Sequence, residues 1–187
     1  MKRKFLFICF ICFILGAQNV YPQQWIRRYF PNRENYPHWV LESYDKGYVI
    51  SGCFSQYSAP TWGLLIKTDI NGYVRWFKSI GQKGDGTSIS NVDRCNDGGL
   101  ILGGATCQLE AWHDPLFLKL DKCGNKEWCK IYYTPVPNKV WDSYSQRIYQ
   151  LPDGGYISLV LGYGSDMINK RIWLFMLDSL GDAIWIK

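Results

Sequence analysis

The 187 residues are 47% hydrophobic and 17% aromatic, with nine tryptophans, which is enough material for one domain with a sizeable core. The formal net charge is +5 at pH 7. The basic residues recur along the chain instead of clustering into the stripe that a polyanion needs, so no nucleic-acid partner is expected.

The chain opens with Lys2, Arg3 and Lys4, an apolar run from Phe5 to Leu15, and small Gly16 and Ala17 before polar Gln18. This order predicts a cleaved secretory signal peptide over residues 1–17. The 11 apolar residues from Phe5 to Leu15 fall short of the roughly 20 that cross a bilayer core. A lipid anchor fits less well, because Cys9 and Cys12 lie inside the apolar run with no small residue before them. The mature chain is therefore expected in the periplasm, in the cell envelope or outside the cell, with no integral membrane segment. Loss of the three leader cations leaves 18 against 16 anions, a net charge of +2. Five cysteines remain, Cys53, Cys95, Cys107, Cys123 and Cys129, in a compartment that permits pairing, and the odd count leaves at least one unpaired within the chain.

Beyond the leader one pattern recurs three times. Asp69, Gly72, Trp76 and Lys78 return 52 residues later as Asp121, Gly124, Trp128 and Lys130, and 57 residues after that as Asp178, Gly181, Trp185 and Lys187. A period near fifty residues in an all-β unit points to propeller blades. Each unit holds four predicted strands. The first is polar, as in Thr87–Arg94 and Ser143–Gln150. The second follows a tight turn, Asp45-Lys46-Gly47, Asp97-Gly98-Gly99 or Asp153-Gly154-Gly155, and Gly accepts the positive φ of such hairpins. The third is almost wholly apolar (Leu64–Ile66, Leu116–Leu118, Trp173–Leu177), which predicts cover on both faces. The fourth carries the Trp. The units run roughly over 36–78, 87–130 and 142–187.

The chain also begins with a stray fourth strand: Trp25-Ile26-Arg27-Arg28-Tyr29 matches Trp128-Cys129-Lys130-Ile131-Tyr132. The expected fold is all-β, a propeller-like array of three four-stranded blades plus one extra N-terminal strand, spanning 18–187, with the ring incomplete. Propellers close with four to eight blades, so the chain is read either as a truncated propeller or as one that completes its ring by self-association.

The recurrent Asp reads as structural. Asp69-Ile70-Asn71-Gly72 has the start of a calcium loop, but the bidentate acid that closes one is missing, and an Asp opening a tight turn accepts hydrogen bonds from the turn's own amides. The Trp reads as packing between sheets. Taken together, Asp-x-x-Gly-x-x-x-Trp at 69–76, 121–128 and 178–185 resembles the tryptophan-docking repeat of quinoprotein-like propellers and of the outer-membrane assembly lipoprotein with that fold. The whole unit, with Asp-Gly-Gly-Tyr-Ile at 153–157, more closely resembles the repeats of secreted bacterial β-propeller proteins. The resemblance covers Trp25–Lys187 and implies a fold rather than an activity. The chain lacks the Thr before each repeat Gly and the adjacent cysteine pair of the quinone enzymes, so no cofactor is expected.

Alternating strand direction gives two rims. One carries the short repeated turns. The other carries irregular loops at 53–63, 105–115, 132–142 and 163–171, where recognition is expected. The candidate ligand-binding residues there are Tyr57, Trp62, Trp112, His113, Asp114, Tyr133, Trp141 and Tyr163, weighed against the alternative that such rings fold back on their own blade. Trp112-His113-Asp114 sets an imidazole beside a carboxylate, but no nucleophile lies nearby in sequence, so no catalytic residues are assigned. His38 falls where Ser90 and Gln146 fall, on the innermost strand, and one histidine makes no metal site. Cys95 and Cys123 lie at the same rim and are the candidate disulfide. The leading expectation is an exported, non-enzymatic module that binds a protein or glycan through the irregular rim. The alternatives are a fragment of a larger propeller enzyme, quinone-dependent or polysaccharide-cleaving, and a decayed product with no activity.

Overall fold

The computed structural model describes residues 26–30, 34–55, 61–82, 85–107, 113–132, 142–163 and 170–187. The expected signal peptide and, among the candidate rim residues, Tyr57, Trp112, Tyr133 and Trp141 lie outside them.

The described chain is all-β, with twelve strands in three four-stranded antiparallel sheets, each a simple meander in chain order. The first blade is β1 (Glu34–Glu42), β2 (Tyr48–Ser55), β3 (Trp62–Thr68) and β4 (Val74–Ile80). The second is β5 (Ser88–Arg94), β6 (Leu100–Thr106), β7 (Asp114–Leu120) and β8 (Lys126–Ile131). The third is β9 (Asp142–Gln150), β10 (Tyr156–Tyr163), β11 (Lys170–Leu177) and β12 (Ala183–Ile186). The blades form a propeller-like array, and the three of them do not close a ring. The N-terminal residues 26–30 join no ladder but lie against blade 1, where Tyr29 and Phe30 pack on the cluster of Phe54, Leu64 and Ile66.

Each turn between the third and fourth strands has the same construction. Asp69 Oδ1 accepts from the amides of Asn71 and Tyr73, Asp121 Oδ1 from Cys123 and Asn125, and Asp178 Oδ1 from Leu180 and Asp182, all at 2.7–2.9 Å. The glycines of these turns have φ of +75° to +80°. The carboxylates are therefore occupied by their own loops. In Asp121 these hydrogen bonds, that from the Asn125 amide first, hold the carboxyl below its ordinary value.

Two of these glycines, Gly124 and Gly181, receive the tryptophan of the preceding blade. A Cβ on Gly124 would sit 3.1 Å from the Trp76 ring, and one on Gly181 2.7 Å from the Trp128 ring. Trp128 also meets the Tyr156 ring edge-on, 5.5 Å between centroids. Each indole thus closes a junction between consecutive sheets.

Coverage of the third strand differs among the blades. All of β7 is buried, and β3 is buried except for half-exposed Trp62, as the apolar runs predict. Strand β11 departs from that expectation: Trp173, Phe175 and Leu177 face blade 2 and are buried, whereas Ile172 and Leu174 are 67% and 41% exposed on the other face. The reason is positional, because a strand is covered twice only when sheets lie on both sides of it.

Gly181→Ala is expected to cost more stability than Gly154→Ala. Both have positive φ, a penalty of about 1–2 kcal/mol for an L-residue, but only Gly181 also meets an indole, whereas nothing lies within 4 Å of a Cβ at Gly154. Urea melts of the two variants test this, and equal losses would mean that Trp128 does not press on the turn.

Candidate functional site

The three innermost strands share a defect in register. Pairing of β1 with β2 skips His38, pairing of β5 with β6 skips Ser90, and pairing of β9 with β10 skips Gln146. A bulge of this kind re-aims the residue it leaves out of the ladder. In blades 1 and 2 the second strand comes close at this point, at Gly52 and Gly104, where a Cβ would fall 2.2 or 2.1 Å from the carbonyl oxygen of Tyr36 or Ser88; blade 3 forms its bulge opposite Val160.

Two of the bulged residues, His38 of blade 1 and Ser90 of blade 2, line a cavity of about 230 Å³ together with Ser88, Ala105 and His113 of blade 2 and Tyr144 of blade 3. It lies at the irregular rim, where β5 and β9 begin and β6 ends. Both histidines of the sequence meet there. His38 Nδ1 lies 3.3 Å from the Ile89 carbonyl oxygen and 3.4 Å from Ser88 Oγ. When Nδ1 carries the proton and donates to that carbonyl, Nε2 is left as an acceptor. The backbone of His113 is fixed by the amide of Ser143, which donates to its carbonyl at 2.9 Å. On the third side the Tyr144 hydroxyl donates to the Tyr163 hydroxyl at 3.1 Å, with the two rings stacked at 6.0 Å. Lys170 Nζ lies 5.6 Å from the Tyr163 ring centroid.

The residues one step past the bulges hold the inner strands together. Asn91, almost fully buried, accepts from the Ile148 amide at 3.0 Å and so ties blade 2 to blade 3. The Arg147 guanidinium lies 3.8 Å from the centroid of the Trp39 ring, joining β9 to β1. Among the described residues no group of three or more metal-ligating side chains comes together.

Of the expected rim residues, His113 lines the cavity and Tyr163 supports its wall through Tyr144. Asp114 is buried at the start of β7. Trp62 folds back on its own blade, stacked on Phe54 at 5.5 Å, so it is packing rather than a free ring. Ser88, Ser90 and Tyr144 were not singled out from the sequence. Their signal was the polarity of every first strand, which reads as an undefined edge until the strand is known to lie innermost.

The expected Cys95–Cys123 disulfide is absent: both are free thiols. Cys95 points into the core between blades 2 and 3 with Ile101, Phe117 and Tyr156, whereas Cys123 is exposed on its turn. Burial pushes the Cys95 thiol up to about 12, so it is neither a nucleophile nor a ready partner.

A second cluster of charges is structural. Lys119, its side chain 3% exposed, donates to Asp97 at 2.7 Å, to Glu127 at 2.8 Å and to the Leu120 carbonyl at 3.1 Å. Lys67 repeats this in blade 1, donating to Asp45 at 2.6 Å and to the Thr68 carbonyl at 2.8 Å. In blade 3 the position is Met176. Burial works against ionisation of Asp45 and Asp97, but the lysine and the turn amides outweigh it, and both carboxyls titrate below their ordinary value of 3.8.

No family model matches the chain, and no curated protein matches it.

Because these two carboxyls are lowered in the folded state, the stability they contribute is complete above their unfolded value. It is lost as the pH falls through the folded one. Denaturation midpoints are expected to drop below about pH 4. Lys119→Met, which installs the residue of blade 3, should flatten that drop, and an unchanged acid profile would show that Lys119 does not hold Asp97.

Proposed function

We propose that this is an exported, non-enzymatic propeller module that binds an extracellular or envelope ligand at its irregular rim, with a glycan end group as the best match. The observation that carries the reading is the axial cavity. It draws walls from all three blades and offers imidazoles, serine hydroxyls and a tyrosine pair, the mixture of hydrogen-bonding groups and flat aromatic surface that suits sugar hydroxyls and ring faces.

The mature chain, freed of residues 1–17, should bind a subset of glycans on an array. His113→Ala and Tyr144→Phe should each weaken that binding severalfold without unfolding the chain, since neither group fills the core. Binding to no glycan and capture of an envelope protein instead would reassign the ligand to protein. Affinity unaltered by both substitutions would remove the cavity from consideration.

We also propose self-association through blade 3. Its far face presents Leu159, Ile172 and Leu174 side by side, with Leu159 paired to Leu174 across the ladder, an apolar patch of the kind that marks an interface. Light scattering of the mature chain is expected to give a mass above one chain, falling to one chain in an Ile172→Lys, Leu174→Lys double variant. A wild-type monomer across the concentration range would refute it.

A further inference from the structure

Arg147 stands one residue past the bulge of β9, and its half-buried guanidinium is held between blades by two aromatic rings. It lies 3.8 Å from the centroid of the Trp39 ring on β1 and 4.7 Å from that of the Tyr149 ring on its own strand. Contacts this close set the rings against the plane of the guanidinium, and its N–H donors lie on the edge. The ion pairs among the described residues engage Lys46, Lys67, Arg75, Lys119 and Lys130, and none engages Arg147. The faces of the group tie β9 to β1, and its charge is left without a counter-ion. Trp39 and Tyr149 are 36% and 42% exposed, so the cluster is open to a ligand.

This cation borders the axial cavity on two strands. On β1, His38 lines the cavity and the next residue, Trp39, carries Arg147; on β9, Tyr144 lines it three residues before Arg147. His38 and Trp39 also line an open groove of about 490 Å³ with Pro37, Val40 and Ile50, so the cavity wall continues as an apolar floor towards the guanidinium. No carboxylate is among the residues that line either space. Asp114, which follows His113, is 2% exposed at the start of β7. Lys170, beside Tyr163 on the third wall, adds a second cation.

Building on the glycan reading of that cavity, we propose that the sugar it receives is acidic, a uronate whose hydroxyls meet the cavity and whose carboxylate is read by Arg147. The edge of a guanidinium matches a carboxylate with two parallel N–H···O bonds, a geometry that lysine does not reproduce. The rings on its faces fix that edge before the ligand arrives, which lowers the ordering cost of binding. The apolar face of the sugar would lie on the floor of Trp39, Val40 and Ile50. A neutral sugar gives Arg147 no partner, so the site selects by charge.

The test is calorimetric titration of the mature chain with oligogalacturonate, oligoglucuronate and oligomannuronate, each beside its methyl ester, which keeps the shape and removes the charge. At least one acid is expected to bind more than about tenfold tighter than its ester, the worth of a charge-assisted hydrogen bond. That margin should shrink as salt is raised. Arg147→Lys, which keeps the charge but not the fork, should narrow it, and Arg147→Gln should abolish it by weakening the acid alone. His113→Ala should weaken acid and ester equally. Esters that bind as well as their acids would overturn the proposal. So would equal weakening of acid and ester by Arg147→Gln, which would make Arg147 a strut between strands and nothing more. A sulfated glycan bound more tightly than every uronate would overturn the assignment to a carboxylate. Neutral glycans bound and uronates refused would defeat this inference while the rim reading stands, whereas binding of no glycan of either kind would defeat both.

Discussion

A four-stranded sheet with two apolar faces cannot stand alone in water, and the whole molecule is organised by the need to cover both. Blade 2 shows the solved case. Its third strand is buried throughout because Leu65, Val49 and Trp76 cover one side and Phe175, Tyr156 and Trp173 cover the other. The contact that fixes the spacing is the indole of one blade against the turn glycine of the next. A ring of that size can approach only a backbone without a Cβ, and the same glycine must take positive φ for its Asp to gather the turn amides. One residue thus answers two demands, which is why Gly124 and Gly181 cannot be separated from Asp121 and Asp178.

The outer faces of the array meet this need differently. On blade 1 the segment 26–30 supplies Tyr29 and Phe30, and Phe30 lies 4.8 Å from Phe77, so the cluster around Phe54 is roofed by the chain's own beginning. On blade 3 the face of Ile172 and Leu174 has no such roof among the described residues. The two ends are therefore unlike, and the association proposed for the bare one rests on the same burial rule that holds the blades together.

Repetition of the backbone does not repeat the chemistry. The bulge on each inner strand delivers one side chain out of the ladder, and the three residues delivered are His38, Ser90 and Gln146. The next residues are Trp39, Asn91 and Arg147, which bind the inner strands to one another. A constant scaffold with different side chains at equivalent points yields an asymmetric axial cavity, and asymmetry is what allows a single ligand orientation.

Strand number, strand order and the turn chemistry were legible in the residues, because short apolar runs, Asp-Gly turns and a fifty-residue recurrence act locally and each unit obeys them alone. The structural role of the recurrent Asp was equally plain, since its partners lie within four residues. Contacts between units were not legible. That Cys95 is enclosed between blades 2 and 3, and that His38, His113 and Tyr144 share one cavity, depends on where strands of different units come to rest. Local sequence dictates each sheet, but the site lies between sheets, and only their packing against one another decides which side chains meet there.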